Sequence, residues 1–180
     1  PISTPLYSSA AADVYKLQHS SIDKAVITLG LGQNSLCRIP VDDAFRMRPE
    51  VLRKAVHVDR ENGWHPIATV ATVGTTSVTS IDPVSDIADV CESEDLWLHV
   101  DAAYAGAAAL VPSAKYVMDG CDRADSIVVN PHKWLFTPFD LSAFFSRRMD
   151  TIRTTFTLTP DYLDTPESEH VNNLMDTVVQ

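Results

Sequence analysis

The sequence predicts an α/β domain built on a mostly parallel central sheet flanked by helices, a doubly wound arrangement, and three observations predict it. From about residue 25 onward, short apolar runs alternate with stretches of helical periodicity. The stretches between the runs are roughly 10 to 15 residues long, the length of a crossover helix. The run "IATVATV" at 67–73 is nearly continuous in apolar and β-branched residues, as in strands covered on both faces.

The elements follow in order. "LYSS" at 6–9 is a first apolar run, and "SSIDKAVITLG" at 20–30 reads as a helix ended by Gly30 and Gly32. The β-branched "LCRIPV" at 36–41 is a strand. "RPEVLRKAVHVDRENG" at 48–63 begins a helix at Pro49, repeats apolar residues at Val51, Leu52, Ala55 and Val56, and stops at Gly63. After "IATVATV", the segment "DPVSDIADVCES" supplies Asp82 as an N-cap and Pro83 at the first helical position, with Val84, Ile87, Ala88 and Cys91 on one face. "LWLHV" at 96–100, "SIVV" at 126–129 and "LSAFFS" at 141–146 are three more strands. Beyond about residue 148 the periodicity fades into "TTFTLTPDYLDTPESEHVNN", a long loop of the kind that often serves as a lid.

Composition limits the partners. With 14 Lys and Arg against 24 Asp and Glu, the formal charge of −10 repels nucleic acid and anionic membrane surfaces. Nowhere do 18 apolar residues run together, and "PISTPLYSS" lacks the basic start and apolar stretch of a signal peptide, so a soluble, cytoplasmic protein is expected. Cys37, Cys91 and Cys121 form neither a CxxC pair nor a metal-ligand spacing; no metal site is indicated, and the three read as buried small hydrophobes. A start at Pro1 and an end at "MDTVVQ", inside a helical pattern, suggest a fragment.

In doubly wound sheets ligands bind beyond the carboxyl ends of the strands. Candidate site residues are therefore those that follow an apolar run: Gly74, Thr75 and Thr76 after "VATV", Asp101 after "LHV", and Asn130, His132 and Lys133 after "IVV". Taken alone, Asp101 is most simply a turn cap and Lys133 a solvated cation. Lys133, however, follows a buried-looking strand and is flanked by His132, Trp134, Leu135 and Phe136, an apolar setting that favours a neutral, nucleophilic amine able to form a Schiff base. Asp101 stands on the preceding strand end, and the small residues of "AAYAGAA" behind it leave room for a planar ligand. A Schiff-base lysine with an aspartate holding a pyridinium proton is the arrangement that binds pyridoxal phosphate.

The motifs "HSSIDKA", "VATVGTT", "LWLHVDAAYAG", "NPHKW" and "TPDYL" occur in an order and spacing that resemble the group II pyridoxal-phosphate-dependent amino acid decarboxylases, most closely the aromatic-L-amino-acid decarboxylases, from about residue 19 to the end. The resemblance implies the large domain of the fold-type I transferases. Residues 1–148 would be the central part of that domain and 149–180 a mobile catalytic loop with the start of the next helix; an N-terminal dimerising segment and a C-terminal small domain would be absent. It implies pyridoxal 5'-phosphate as cofactor, an amino acid substrate, and a homodimer. By the same resemblance Lys133 matches the lysine that carries the cofactor, Asp101 the partner of the pyridine nitrogen, Ala103 the residue beneath the ring and His19 the histidine stacked above it. Thr76 matches a threonine near the cofactor's polar edge; Ser126, Asn130 and His132 match positions around the phosphate; Tyr162 matches the loop tyrosine that protonates the carbanionic carbon. "YSSAAADVYKLQ" before His19 is longer than the corresponding link in relatives.

The reading that results is decarboxylation of an L-amino acid, aromatic in the first instance. An aldehyde synthase of the same family is an alternative, against which Tyr162 argues because such relatives often carry Phe there. Glutamate, histidine or cysteine sulfinate are alternative substrates. A non-catalytic α/β fragment or pseudoenzyme that only binds a partner is the reading from another class.

Overall fold

The structure, a computed structural model, describes residues 19–156 and the backbone of residues 6–9. Among the described residues six strands form one sheet: β1 (Leu6–Ser9), β2 (Leu36–Ile39), β3 (Ala68–Thr72), β4 (Trp97–Asp101), β5 (Ser126–Val129) and β6 (Ala143–Ser146), in spatial order β2-β1-β3-β4-β5-β6. β1 pairs in parallel with both β2 and β3, and β3, β4 and β5 continue in parallel. The order reverses at β1, which lies between β2 and β3, and such a reversal opens a crevice at the carboxyl ends. In register, Thr72 of β3 lies beside Asp101 of β4, and Asp101 beside Val128 of β5. All the strand segments expected from the sequence are present.

The helices α1 (Ser21–Thr28), α2 (Pro49–Glu61) and α3 (Val84–Ser93) stand where periodicity places them. α2 buries Leu52 and Val56, one turn apart, and α3 buries Val84, Ile87, Ala88 and Cys91, so each turns one stripe inward. These stripes meet Ala71, Val73, Leu98 and Val100 in a single core. The two faces of β4 differ accordingly: Leu98 and Val100 point into the core, whereas Trp97, His99 and Asp101 alternate onto the other, half-buried face.

Three expectations need correction. Asp82 does not cap α3. Pro83 occupies the cap position, and the Asp82 carboxylate turns inward to accept hydrogen bonds from the Met47 amide at 2.7 Å and the Thr72 amide at 2.8 Å. Cys91 and Cys121 are buried, but Cys37 is only half-buried, because β2 is the edge strand. Residues 149–156 are helix (α5, Met149–Phe156) rather than loop, since Asp150 in the first turn and Arg153 in the last complement the helix dipole. The described residues fall into two units divided between Phe145 and Ser146, α5 lying in the second. Among the described residues no helix is long and apolar enough to cross a membrane.

Candidate functional site

The carboxyl ends of β3, β4 and β5 bring together three of the segments singled out by sequence. Asp101 ends β4; its Oδ1 accepts a hydrogen bond from the Ala103 amide at 3.1 Å, and its backbone carbonyl accepts one from the Val73 amide at 2.8 Å. The Ala103 carbonyl in turn accepts from the Asn130 amide at 3.1 Å, tying the segment after β5 to the segment after β4. Ala102, Ala103, Ala105 and Gly106 are all buried, so the floor beside Asp101 is made of backbone and methyl groups. Close packing requires it: a Cβ on Gly106 would lie 2.8 Å from a Val129 methyl, and one on Gly74 only 2.5 Å from the Ala105 Cβ.

Lys133 belongs to a single helical turn, α4 (Pro131–Trp134), that begins at Pro131, where the missing N–H costs nothing. Its amide donates to the Asn130 carbonyl at 2.9 Å, and the Asn130 Oδ1 accepts from the Ser142 hydroxyl at 2.7 Å. His132 Nδ1 accepts from the Leu141 amide at 2.9 Å, and its ring tilts against Phe139 at 4.9 Å. The apolar setting expected around Lys133 is not built by its neighbours: Lys133 is exposed, as are Trp134, Leu135 and Phe136, the last at 99%. The reason is that α4 is short and turns these side chains outward; Trp134 instead stacks on Tyr104 at 5.0 Å with the planes 8° apart.

Thr76 is exposed in the loop after β3, while Thr75 is buried and its Oγ1 accepts from the Ser80 amide at 3.0 Å. His19 is exposed immediately before α1, and its Nδ1 accepts from the Ser21 amide at 3.3 Å. Tyr162 lies outside the described residues. Ser126 is not brought to the carboxyl edge. It is the first residue of β5, buried at the opposite end of the strand from Asn130, with its hydroxyl engaged by Trp97 Nε1 and by His99 Nδ1, each at 2.8 Å.

His99 is the residue that motif reading passes over. It shares the half-buried face of β4 with Asp101, two residues on, and stacks on Phe144. Burial lowers its pKa, an effect the Asp101 charge opposes. Period-two reading of "WLHVD" would have found it. Chemically, the edge offers an exposed primary amine, a carboxylate with one oxygen bonded to a backbone amide, and beside that carboxylate a floor of backbone and methyl groups. Those are the groups that a planar, cationic heteroaromatic aldehyde needs, and in that sense the residues present fit pyridoxal phosphate.

A family model, the pyridoxal-dependent decarboxylase conserved domain, matches residues 9–180. Aromatic-L-amino-acid decarboxylase of Bacillus atrophaeus is 35% identical over 150 residues, which cover 83% of this chain and 31% of that protein. The Sus scrofa aromatic-L-amino-acid decarboxylase is 42% identical over 145 residues, 81% of this chain and 29% of its own length. Histidine decarboxylase of Mus musculus is 41% identical over 148 residues, covering 81% and 22%. Among solved structures, Oryza sativa TDC with PLP and tryptamine superposes with a TM-score of 0.86 at 33% identity, over 97% of this chain and 35% of that one. Mouse CSAD superposes with a TM-score of 0.82 at 33% identity, over 99% and 36%. The chain thus spans between 22% and 31% of the length of these three curated relatives.

Proposed function

The chain belongs to the pyridoxal-dependent decarboxylase family, and from that premise we propose that the protein binds pyridoxal 5'-phosphate and releases the α-carboxylate of an L-amino acid as carbon dioxide. The observation that carries the proposal is the joining of two strand ends: Asp101 on β4 and Lys133 just past β5, linked through the Asn130 amide and the Ala103 carbonyl. When bound, pyridoxal phosphate supplies an electron sink for the pair left behind as carbon dioxide departs.

The chain's own residues divide the remaining work. Lys133 presents its amine to the aldehyde carbon of the cofactor from the outer surface of α4. The Asp101 carboxylate, held in position by the Ala103 amide, keeps the proton on the pyridine nitrogen. Ala103 would leave room for the cofactor ring against the backbone, and His19 would be the residue to cover it. Thr76, Asn130 and His132 hold the polar edge and the phosphate. Tyr162 delivers a proton to the substrate carbon once the carboxylate has left, and loop closure excludes water during that step. Ser126, whose hydroxyl meets Trp97 Nε1 and His99 Nδ1 at the other end of β5, is left out of this assignment.

An aromatic substrate is favoured by the likeness to two aromatic-L-amino-acid decarboxylases, and histidine is the second candidate through the mouse relative. The working unit is taken as a cytoplasmic homodimer, for which the exposed Tyr104, Trp134, Phe136 and Phe139 offer an apolar surface. The test is to incubate the full-length protein with pyridoxal phosphate, trap it with borohydride, map the labelled residue, and measure carbon dioxide release from tyrosine, tryptophan, histidine, glutamate and cysteine sulfinate. A label on a lysine other than Lys133, or no release from any amino acid, refutes the proposal. Light scattering on the same sample tests the dimer.

A further inference from the structure

Resting on that reading, we propose that Asp82 is a positioning residue for the cofactor edge: it and Ser80 lash the turn at 41–47 to the loop carrying Gly74, Thr75 and Thr76. Two backbone donors from distant segments converge on the two oxygens of one buried carboxylate. The Met47 amide reaches Oδ1 at 2.7 Å and the Thr72 amide reaches Oδ2 at 2.8 Å. The Asp82 amide returns a bond to the Thr72 carbonyl at 3.0 Å, so that Asp82 grips the last residue of β3 from both sides. Two residues earlier, the Ser80 carbonyl accepts from the amides of Gly74 and Thr75, and its one hydroxyl proton is shared between the carbonyls of Phe45 at 2.8 Å and Ala44 at 3.0 Å. An isolated bridge between Val73 and Ile81 closes the loop between these two ties.

Backbone geometry supports the lash. Phe45 and Thr79 both adopt positive φ, 59° and 55°, one in each of the segments joined. Non-glycine residues hold that conformation only where surrounding contacts over-determine it. A carboxylate is also the group the geometry demands, because it accepts at both ends. An asparagine would turn an NH₂ donor toward one of the two amides, leaving that amide without an acceptor. The lash therefore sets where Thr76 stands at the carboxyl end of β3, without Asp82 touching the cofactor.

The experiment compares wild type, Asp82→Asn, Ser80→Ala and Thr76→Ala, and the double variant D82N/T76A, in the full-length protein. Two quantities are read: pyridoxal phosphate affinity by fluorescence quenching, and backbone hydrogen exchange over residues 42–47 and 72–82. D82N is expected to weaken affinity about tenfold or more and to speed exchange in both segments together. Its effect on affinity should largely vanish in the T76A background, as it must if Asp82 acts through Thr76. Wild-type affinity and exchange in D82N overturn the proposal, and so does an undiminished loss in the double variant. Should D82N fail to fold, S80A decides: faster exchange at both 42–47 and 74–80 with a smaller loss of affinity upholds the lash, and unchanged behaviour overturns it. A wild type that takes up no pyridoxal phosphate overturns the proposed function instead.

Discussion

The carboxylate of Asp82 makes a sharp prediction about pH. It is among the most buried charged groups of the described chain, 2% exposed, and desolvation pushes its pKa from an ordinary 3.8 up to about 6. The amides of Met47 and Thr72 pull the other way without compensating, and the nearby charge of Asp42 adds to the rise. Because the folded pKa lies above the unfolded one, the native state binds the extra proton between about pH 4 and 6. Stability contributed by this group therefore falls as pH rises through that window and stays low above it. At about 1.4 kcal/mol per pH unit, the gap from 3.8 to about 6 makes the ionised carboxylate cost about 3 kcal/mol at pH 7. Roughly 2 kcal/mol of that should develop between pH 4 and 7.5. Asp82→Asn cannot titrate, so the difference in unfolding free energy between wild type and variant should shift by that amount, in favour of the variant, from the lower to the higher pH. Urea unfolding followed by tryptophan fluorescence at the two pH values measures it. A difference constant to within about 0.5 kcal/mol would show that Asp82 is not the titrating group, and the account of its burial would be wrong.

Other substitutions test the packing and the site. Gly106→Ala brings a methyl to 2.8 Å from Val129 and 3.1 Å from Ala102, and should cost about 1–3 kcal/mol; Val129→Ala in the same chain should recover part of the loss, measured by the same unfolding assay. Leu52→Ala empties a fully buried position between α2 and the core and should cost about 2–5 kcal/mol. Asp101→Asn keeps an oxygen for the Ala103 amide but no charge, so carbon dioxide release should fall by about 100-fold or more while borohydride still traps the cofactor on Lys133; a variant with wild-type turnover would remove Asp101 from the chemistry.

The backbone of this fold was legible because period and length carry it. Leu52 and Val56 on α2, or Val84, Ile87 and Cys91 on α3, mark a stripe whatever the tertiary context, and the short, β-branched apolar run at 67–73 has the length and composition of a strand covered on both faces. Strand ends followed directly, and with them Asp101, Asn130 and Lys133. Side-chain surroundings were not legible in the same way. Asp82 looks like a cap next to Pro83, and nothing local reveals that Met47, 35 residues away, supplies a donor. Ser126 falls close to "NPHKW" in sequence, yet a strand rises about 3.3 Å per residue, enough over β5 to carry it to the far end of the sheet. The helix at 149–156 was hidden by its threonines, whose weak propensity the Asp150 and Arg153 termini offset.

Lys133 shows where the two kinds of information part. Its place past β5 is a consequence of register, since Asp101 pairs with Val128 and the Asn130 amide is fixed on the Ala103 carbonyl. Its environment is not: Trp134, Leu135 and Phe136 are apolar in sequence and exposed in space, because a one-turn helix cannot fold its own neighbours over its third residue. An amine so placed is accessible to an aldehyde, and its reactivity must then come from what arrives over it rather than from the strand that delivers it. Trp134, next to Lys133 in the chain, stacks on Tyr104 and leaves an exposed aromatic surface that such a cover can meet. Replacing Tyr104 by Ala should therefore leave the trapping of cofactor on Lys133 possible but slower, and an unchanged trapping rate would show that the stack has no part in it.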